Sequence, residues 1–156
     1  MAALELKIPP AILLIFAMIG VYYSPVLFPF IPNYLLYPEV RSIASGVLLA
    51  LGAATAILGV VTFKMARTTT NPVSIGNVSS LVTHGIYRFT RNPMYLGMLF
   101  IIVSFLVKFG HSAGLIFVIA FIVYMNIFQI RPEERMLTQM FGDQYKDYLR
   151  HTRSWL

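Results

Sequence analysis

The sequence contains no cysteine, which excludes disulfides, thiolate chemistry and cysteine-based metal sites. Its three histidines, His84, His111 and His151, are far apart and have no metal-ligand spacing, so a metal site is not expected. Charge is also scarce: 12% of residues are charged and 58% are apolar, compared with about 25% and about 45–50% in ordinary soluble domains. This composition is typical of a membrane protein.

Sequence motifs of several common enzyme classes are missing as well. No G-x-G-x-x-G follows a strand, no P-loop is present and no H-E-x-x-H occurs. The chain has 156 residues, which is one domain by length and leaves no room for a separate Rossmann-type nucleotide domain. The formal charge of +6 does not indicate nucleic-acid binding, because the basic residues lie between apolar runs and suit a membrane face.

Four apolar segments predict an all-α integral membrane protein with a single membrane domain over residues 1–156. They comprise residues 8–30, 42–63, 93–107 and 112–130. No A-x-A-like cleavage site follows the first segment, so we interpret it as a retained helix rather than a signal peptide. The second contains no charge and is longer than the ~20 residues that a bilayer requires. The last two are separated only by Lys108–His111 and predict a tight membrane hairpin.

Prolines, small residues and a charged tail modify this pattern. The prolines of residues 24–38 are predicted to break regular helix: Pro25, Pro29, Pro32 and Pro38. Small residues of the second segment would let a neighbouring helix approach closely: Ser45, Gly46, Gly52, Ala53, Ala56 and Gly59. Residues 131–156 predict a charged helical tail, with Pro132 in its first turn and a break at Gly142.

The distribution of basic residues predicts the orientation of the chain. Four crossings place the amino terminus, the polar connection 64–92 and the tail 131–156 on one side of the membrane. Ten of the twelve Lys and Arg residues lie on that side, and only Arg41 and Lys108 lie on the other. The positive-inside rule therefore assigns both termini and the connection to the cytoplasm, at the inner membrane of a prokaryote or the ER of a eukaryote. The two polar segments would then meet at one membrane face.

The segment Thr83–Gly97 leads from the polar connection into the third apolar segment. Asn92 followed by Pro93 predicts a helix start, with the Asn92 side chain as the cap and Pro93 at the first helical position. A helix N-terminus flanked by Arg88 and Arg91 is suited to an anionic group. The segment therefore predicts a binding site without naming its ligand.

Several side chains of this segment and of the tail are candidates for binding. Arg91 could clamp a carboxylate. Glu133 and Glu134 could accept hydrogen bonds from ribose hydroxyls or an amine, or favour a nearby positive charge. Tyr87 and Tyr95 could pack on a base or on a sulfonium. An alternative fits these residues equally well: the arginines would contact lipid headgroups and the glutamates would cap a helix.

Two linked motifs occupy the second half of the chain. The first is Gly85-Ile86-Tyr87-Arg88 followed by Arg91-Asn92-Pro93-Met94-Tyr95-Leu96-Gly97, and the second is Glu133-Glu134 and Leu137, then Phe141-Gly142, Tyr145 and Tyr148. They resemble the signature and the tail of the isoprenylcysteine carboxyl methyltransferase and phospholipid methyltransferase group of integral membrane enzymes. The run Thr69-Thr70-Asn71-Pro72 also resembles a feature upstream of the signature in small bacterial members. The resemblance covers residues 62–156.

The resemblance implies that S-adenosyl-L-methionine binds between the first motif and the tail, with S-adenosyl-L-homocysteine as product. It implies that Arg91 and Glu134 assist the transfer by orienting cofactor and acceptor. The acceptor would be lipophilic and would enter from the bilayer, as a prenylcysteine-like carboxylate, a lipid headgroup or a small lipophilic molecule. The cofactor pocket would be lined by Gly85, Tyr87, Arg91, Asn92, Pro93, Tyr95, Leu96, Glu133 and Glu134.

One position departs from the eukaryotic members of the group, which have His where this chain has Asn92. A mechanism with that His as general base is therefore not carried over. Two other classes remain as alternatives: sterol reductase-like enzymes, which share an R-x-P-x-Y element and bind NADPH, and a non-enzymatic membrane bundle. The Glu133-Glu134 tail favours the methyltransferases, and the lack of charges within the apolar segments disfavours a transporter-like bundle.

Overall fold

The computed structural model describes residues 5–33, 37–65 and 81–156. The described residues form α-helices and short helical turns, with no β-strand among them, which confirms the predicted all-α class. The elements are α1 Pro10–Leu27, α2 Pro38–Met65, the 3₁₀ turn Gly85–Arg88, α3 Pro93–Phe109, the 3₁₀ turn Ser112–Gly114, α4 Leu115–Tyr124, the π-turn Met125–Ile130, α5 Arg131–Phe141 and α6 Asp143–His151.

The four predicted membrane segments are all helical. Within the described ranges, three helices are long and apolar enough to cross a membrane, and α3 is a shorter apolar helix. Large apolar side chains point outward from α1 and α2, where Phe16, Val26, Ile43 and Ile57 are between 61% and 76% exposed. An outer surface of this kind is suited to lipid rather than water, as expected for a membrane protein.

Pro25 lies inside α1, so the prediction that it breaks regular helix is wrong. A proline has no N–H and leaves the carbonyl four residues earlier, that of Val21, without its helical donor. The Ser24 hydroxyl donates to this carbonyl at 2.8 Å and replaces the missing bond. Because Ser24 is fully buried, water does not supply the missing hydrogen bond, and the Ser24 hydroxyl keeps the helix intact.

The second helix begins at Pro38, four residues before the predicted start at residue 42. Pro38 suits the first helical position, and Glu39 in the first turn interacts favourably with the helix dipole. The third helix is also longer than predicted and ends at Phe109, where Gly110 takes the left-handed conformation with φ of 69°. The Arg41 guanidinium donates to the Phe109 carbonyl at 3.2 Å and so ties the start of α2 to this helix end.

Helices α2 and α3 approach each other most closely at Gly52 and Gly97. A Cβ atom on Gly97 would lie 2.6 Å from the Gly52 carbonyl oxygen and 2.9 Å from the Ala56 amide nitrogen. Gly59 is similarly close to Met94. The predicted close approach is thus confirmed at Gly52 and Gly59, whereas a Cβ on Gly46 would meet no atom within 4 Å.

We expect Gly97→Ala to destabilise the protein by about 1–3 kcal/mol, because its methyl group would force two helix backbones apart. Gly46→Ala, on the facing helix, is the matched control and should be neutral or slightly stabilising, since alanine is the better helix former. Thermal unfolding of the detergent-solubilised variants measures both effects. Equal melting temperatures for the two variants would contradict the observed packing.

The helix does not break where the tail was predicted to begin, because residues 112–141 form one continuous 30-residue helix. The π-turn lies in its middle. Pro132 lacks the N–H that would bond the Phe128 carbonyl, and the backbone N–H of Leu6 donates to that carbonyl at 3.0 Å. The segment before α1 therefore supplies the hydrogen bond that Pro132 cannot make.

This continuous helix is about 45 Å long at 1.5 Å per residue, compared with ~30 Å of hydrocarbon. Its charged residues begin at Arg131, so we take residues 112–130 as the membrane-spanning part and α5 as the part that projects beyond it. The predicted break at Gly142 is confirmed, with φ of 54°, and α6 follows it. Of the predicted connection 64–92, the run Thr69-Thr70-Asn71-Pro72 lies outside the described residues.

Candidate functional site

Arg91 stands just before α3 and joins three parts of the chain. Its Nε and one terminal nitrogen donate to the Glu134 carboxylate at 3.2 Å and 2.6 Å. The other terminal nitrogen donates to the carbonyls of Thr152 and, at 3.5 Å, Leu149. The Arg91 backbone N–H donates to the Arg153 carbonyl at 2.9 Å. With only 11% of its side chain exposed, Arg91 holds α5 and the end of α6 against the start of α3.

Glu133 faces a different partner from its neighbour Glu134. The Tyr95 hydroxyl donates to the Glu133 carboxylate at 2.5 Å, and Arg91 pairs with Glu134 instead. Within the described part of the chain, no cation forms an ion pair with Glu133. Burial raises the pKa of the Glu133 carboxyl to about 7, an effect that the Tyr95 hydrogen bond opposes and the Glu134 charge reinforces. Above neutral pH this carboxylate is a negative charge without a positive partner.

Three partly or fully buried tyrosines lie near Arg91 and the carboxylate pair. Burial raises the pKa of Tyr87, Tyr145 and Tyr148 above the ordinary 10.0, so their hydroxyls stay protonated and can donate hydrogen bonds. Tyr148 donates to the Tyr87 carbonyl at 2.6 Å. The Tyr87 hydroxyl is buried and has no hydrogen-bond partner among the described residues, while its ring packs edge-on against Phe63 at 5.0 Å. The site thus combines several aromatic rings with a Tyr87 hydroxyl that has no hydrogen-bond partner among the described residues.

The C-terminal segment Thr152–Trp155 lies against the residues that precede α3. Thr90 and Asn92 donate to the Ser154 carbonyl at 3.2 Å and 2.9 Å, and the Trp155 indole N–H donates to Asn126 at 3.1 Å. The prediction that the Asn92 side chain caps α3 is therefore wrong, because that side chain bonds Ser154 and makes no capping bond. The predicted start of α3 at Pro93 is confirmed.

An open, polar cleft of about 470 Å³ lies beside this network. Two of its wall residues, Tyr148 and Thr152, also belong to the hydrogen-bonded network around Arg91. The glutamate pair does not line it. The cleft therefore adjoins the carboxylates without containing them, and its lining is Thr83, Arg88, Gln144, Asp147, Tyr148, His151 and Thr152.

The structure brings together five of the sequence-predicted site residues, namely Tyr87, Arg91, Tyr95, Glu133 and Glu134. Gly85, with φ of 62°, opens the 3₁₀ turn beside Thr62. Pro93 and Leu96 are buried in α3, where Pro93 packs on Gly59. Backbone conformation accounts for Gly85, and packing accounts for Pro93 and Leu96. That the nine predicted residues bind a cofactor stays a prediction.

Sequence reasoning missed several polar residues of the π-turn and those that hold the C-terminal segment. Asn126 and Gln129 lie in the π-turn, and Thr90 and Ser154 tie the C-terminal segment in place. Asn126 and Gln129 did carry a signal, because amide side chains within a spanning segment are usually functional or specifically paired. Trp155, in the C-terminal segment, is partly buried against the helix core.

Comparison with known proteins gives a family match that includes Arg91, Tyr95 and the glutamate pair. A family model described as phospholipid methyltransferase matches residues 40–144. A probable protein-S-isoprenylcysteine O-methyltransferase is 30% identical over 130 residues in each of two rice subspecies, Oryza sativa indica and japonica. That match covers 78% of this chain and 66% of each rice protein. An uncharacterized protein of Haemophilus influenzae is 41% identical over 63 residues, which are 40% of this chain and all of that protein. No solved structure matches the chain.

Proposed function

Because the chain belongs to the phospholipid methyltransferase family, we propose that it transfers a methyl group from S-adenosylmethionine to a lipophilic acceptor at the membrane surface. One observation carries the proposal: the Glu133 carboxylate is oriented by Tyr95, has a raised pKa and has no cationic partner among the described residues. Such a carboxylate is suited to a ligand that brings a positive charge. When bound, the cofactor supplies a methyl group on a positively charged sulfur.

The residues present fit the chemical groups of this cofactor. Glu133 would face its positive charge, and the buried, unpaired Tyr87 hydroxyl would bond its ribose or base. The Tyr87 ring would add an aromatic contact for a cation or a base. Arg91 and Glu134 would form the polar wall beside them, held rigid by their ion pair. Gly85, Asn92, Pro93 and Leu96 would shape the wall on the α3 side.

The protein's part in the reaction would be mainly one of alignment. Displacement at a methyl group needs donor and acceptor in line, so rigid placement supplies much of the effect. A carboxylate acceptor would require no base. For an amine or a hydroxyl, Glu134 would be the nearby carboxylate that takes the proton. The basic residues near the site support a cytoplasmic location, where the cofactor would reach it through the cleft beside Tyr148.

Titration of the purified protein with S-adenosylhomocysteine and with NADPH tests the proposed function. We expect saturable binding of S-adenosylhomocysteine, with a rise in melting temperature, and no response to NADPH. Binding of NADPH alone would favour the reductase-like alternative, and binding of neither would favour a non-enzymatic bundle. Either of these two results would contradict the proposal.

A further inference from the structure

Gln129 in the π-turn has one side-chain atom that the structure leaves unpaired. The residue is 1% exposed, and its Nε2 donates to the Ile8 carbonyl at 2.7 Å. A carbonyl can only accept, so this bond fixes which end of the amide faces Ile8. The opposite end, Oε1, is buried and has no hydrogen-bond partner among the described residues. Gln129 therefore presents a fixed hydrogen-bond acceptor inside the protein.

A second unpaired polar atom lies on the same helix. The Tyr124 hydroxyl is buried without a hydrogen-bond partner in the described ranges, while the Tyr124 ring packs against Phe128 with centroids 4.7 Å apart. Both residues belong to the membrane-spanning part of the helix, where an unpaired polar group is costly because water is absent. The π-turn, which begins directly after Tyr124 and contains Gln129, is a feature often found at functional sites. Two costly polar atoms so close in sequence indicate a ligand.

The position of Gln129 relates it to the proposed methyl-transfer site. Gln129 precedes Glu133 by four residues, so the two side chains lie on the same face of the helix, about 5–6 Å apart at Cβ. Glu133 belongs to the part that projects from the hydrocarbon, and Gln129 lies one turn deeper. A lipophilic acceptor whose reactive group reaches the cofactor near Glu133 would therefore place its neighbouring polar atoms at the level of Gln129.

We infer that Gln129 is a specificity-determining residue whose Oε1 accepts a hydrogen bond from an N–H or O–H group of the methyl acceptor. The Tyr124 hydroxyl provides a second polar contact for the same molecule. This inference rests on the proposed methyl transfer. Gln129 would thereby select among lipophilic acceptors. An acceptor without an N–H or O–H leaves the Gln129 oxygen unpaired, so its rate of methylation is lower.

Rates of methyl transfer to three matched probes test the inference: dodecylamine, N,N-dimethyldodecylamine and dodecanoate. The native protein should prefer dodecylamine in kcat/KM by at least about tenfold. Gln129→Leu should abolish that preference without changing the affinity for S-adenosylhomocysteine. Gln139→Leu, the same change at an exposed position of α5, is the matched control and should behave as the native protein.

Tyr124→Phe removes only a hydroxyl and serves as the second variant if Gln129→Leu does not fold. It should raise KM for dodecylamine about threefold to tenfold and leave cofactor affinity unchanged. Equal use of all three probes by the native protein, or an unchanged preference in both variants, would overturn the inference while leaving the proposed function intact. Absence of both S-adenosylhomocysteine binding and transfer to any probe would overturn the proposed function, and the inference with it.

Discussion

Replacement of Glu133 by glutamine is expected to weaken S-adenosylmethionine binding by about 10- to 100-fold, the range for loss of a charged hydrogen-bonding group. The variant should nevertheless fold at least as stably as the native protein. Glutamine keeps an oxygen for the Tyr95 hydroxyl, which donates to Glu133 at 2.5 Å, but it cannot carry a negative charge. Isothermal titration and thermal unfolding at pH 8 measure the two effects separately.

The expected stability follows from the pKa of Glu133, which burial raises from 4.5 to about 7. Between these pH values the folded protein keeps a proton that the unfolded chain has lost, so folding stability falls as the pH rises through this window. Above pH 7 the full cost of the buried charge is present, and Glu133→Gln removes it. A merely structural glutamate would show the opposite combination, with lower stability in the variant and little change in affinity.

Glu39→Gln is the matched control for this variant. Glu39 lies in the first turn of α2 and is exposed, and it belongs to the opposite end of that helix from the site. Its replacement should cost less than about 1 kcal/mol, through the helix dipole, and should leave cofactor affinity unchanged. Equal loss of affinity in the two variants would contradict the assignment of Glu133.

Replacement of Arg91 by alanine is expected to lower the free energy of unfolding by about 3 kcal/mol and methyl transfer by about 100-fold or more. The stability loss is at the lower end of the range for breaking a buried ion pair, because the Glu134 side chain is 25% exposed. Without Arg91, the carbonyls of Leu149 and Thr152 also lose their donor. The end of α6 should then separate from the start of α3, which would misplace the groups that align cofactor and acceptor.

Arg91→Lys distinguishes the charge of Arg91 from its shape. Lysine keeps the positive charge near Glu134, but it lacks the planar fork that reaches the carboxylate and two carbonyls at once. We therefore expect an intermediate stability and a large loss of transfer. Arg150→Ala is the control, because Arg150 pairs with Asp147 at the surface with 75% of its side chain exposed. Chemical denaturation of the three variants checks these values, and similar curves for Arg91→Ala and Arg150→Ala would refute them.

The membrane helices and the convergence of the two polar segments were predictable from the sequence. Long apolar runs predict helices that span a bilayer. The distribution of basic residues predicts that residues 64–92 and 131–156 lie at the same membrane face. The structure confirms that the two segments meet, through the Arg91–Glu134 and Tyr87–Tyr148 contacts. Adjacent residues on a helix point about 100° apart, which explains why the two glutamates take different partners.

The details that the sequence could not predict depend on contacts between distant parts of the chain. Asn92 has the local pattern of a helix cap, yet the Ser154 carbonyl outcompetes the helix end for its side chain. Pro132 resembles a helix start, yet Leu6 supplies the hydrogen bond that lets the helix continue through it. In both cases the hydrogen-bond partner lies more than 60 residues away in the sequence, so a local sequence pattern cannot predict it.

The most direct test of the claim that Glu133 receives the positively charged cofactor is the pH dependence of S-adenosylmethionine affinity, measured without an acceptor. The native protein should bind more tightly as the pH rises from 6 to 8, because Glu133 ionises near pH 7. Subtraction of the Glu133→Gln profile removes any contribution from the ligand's own amine. A step near pH 7 in the native protein that is missing from the variant is the predicted result. Superimposable profiles for the two proteins would contradict the claim.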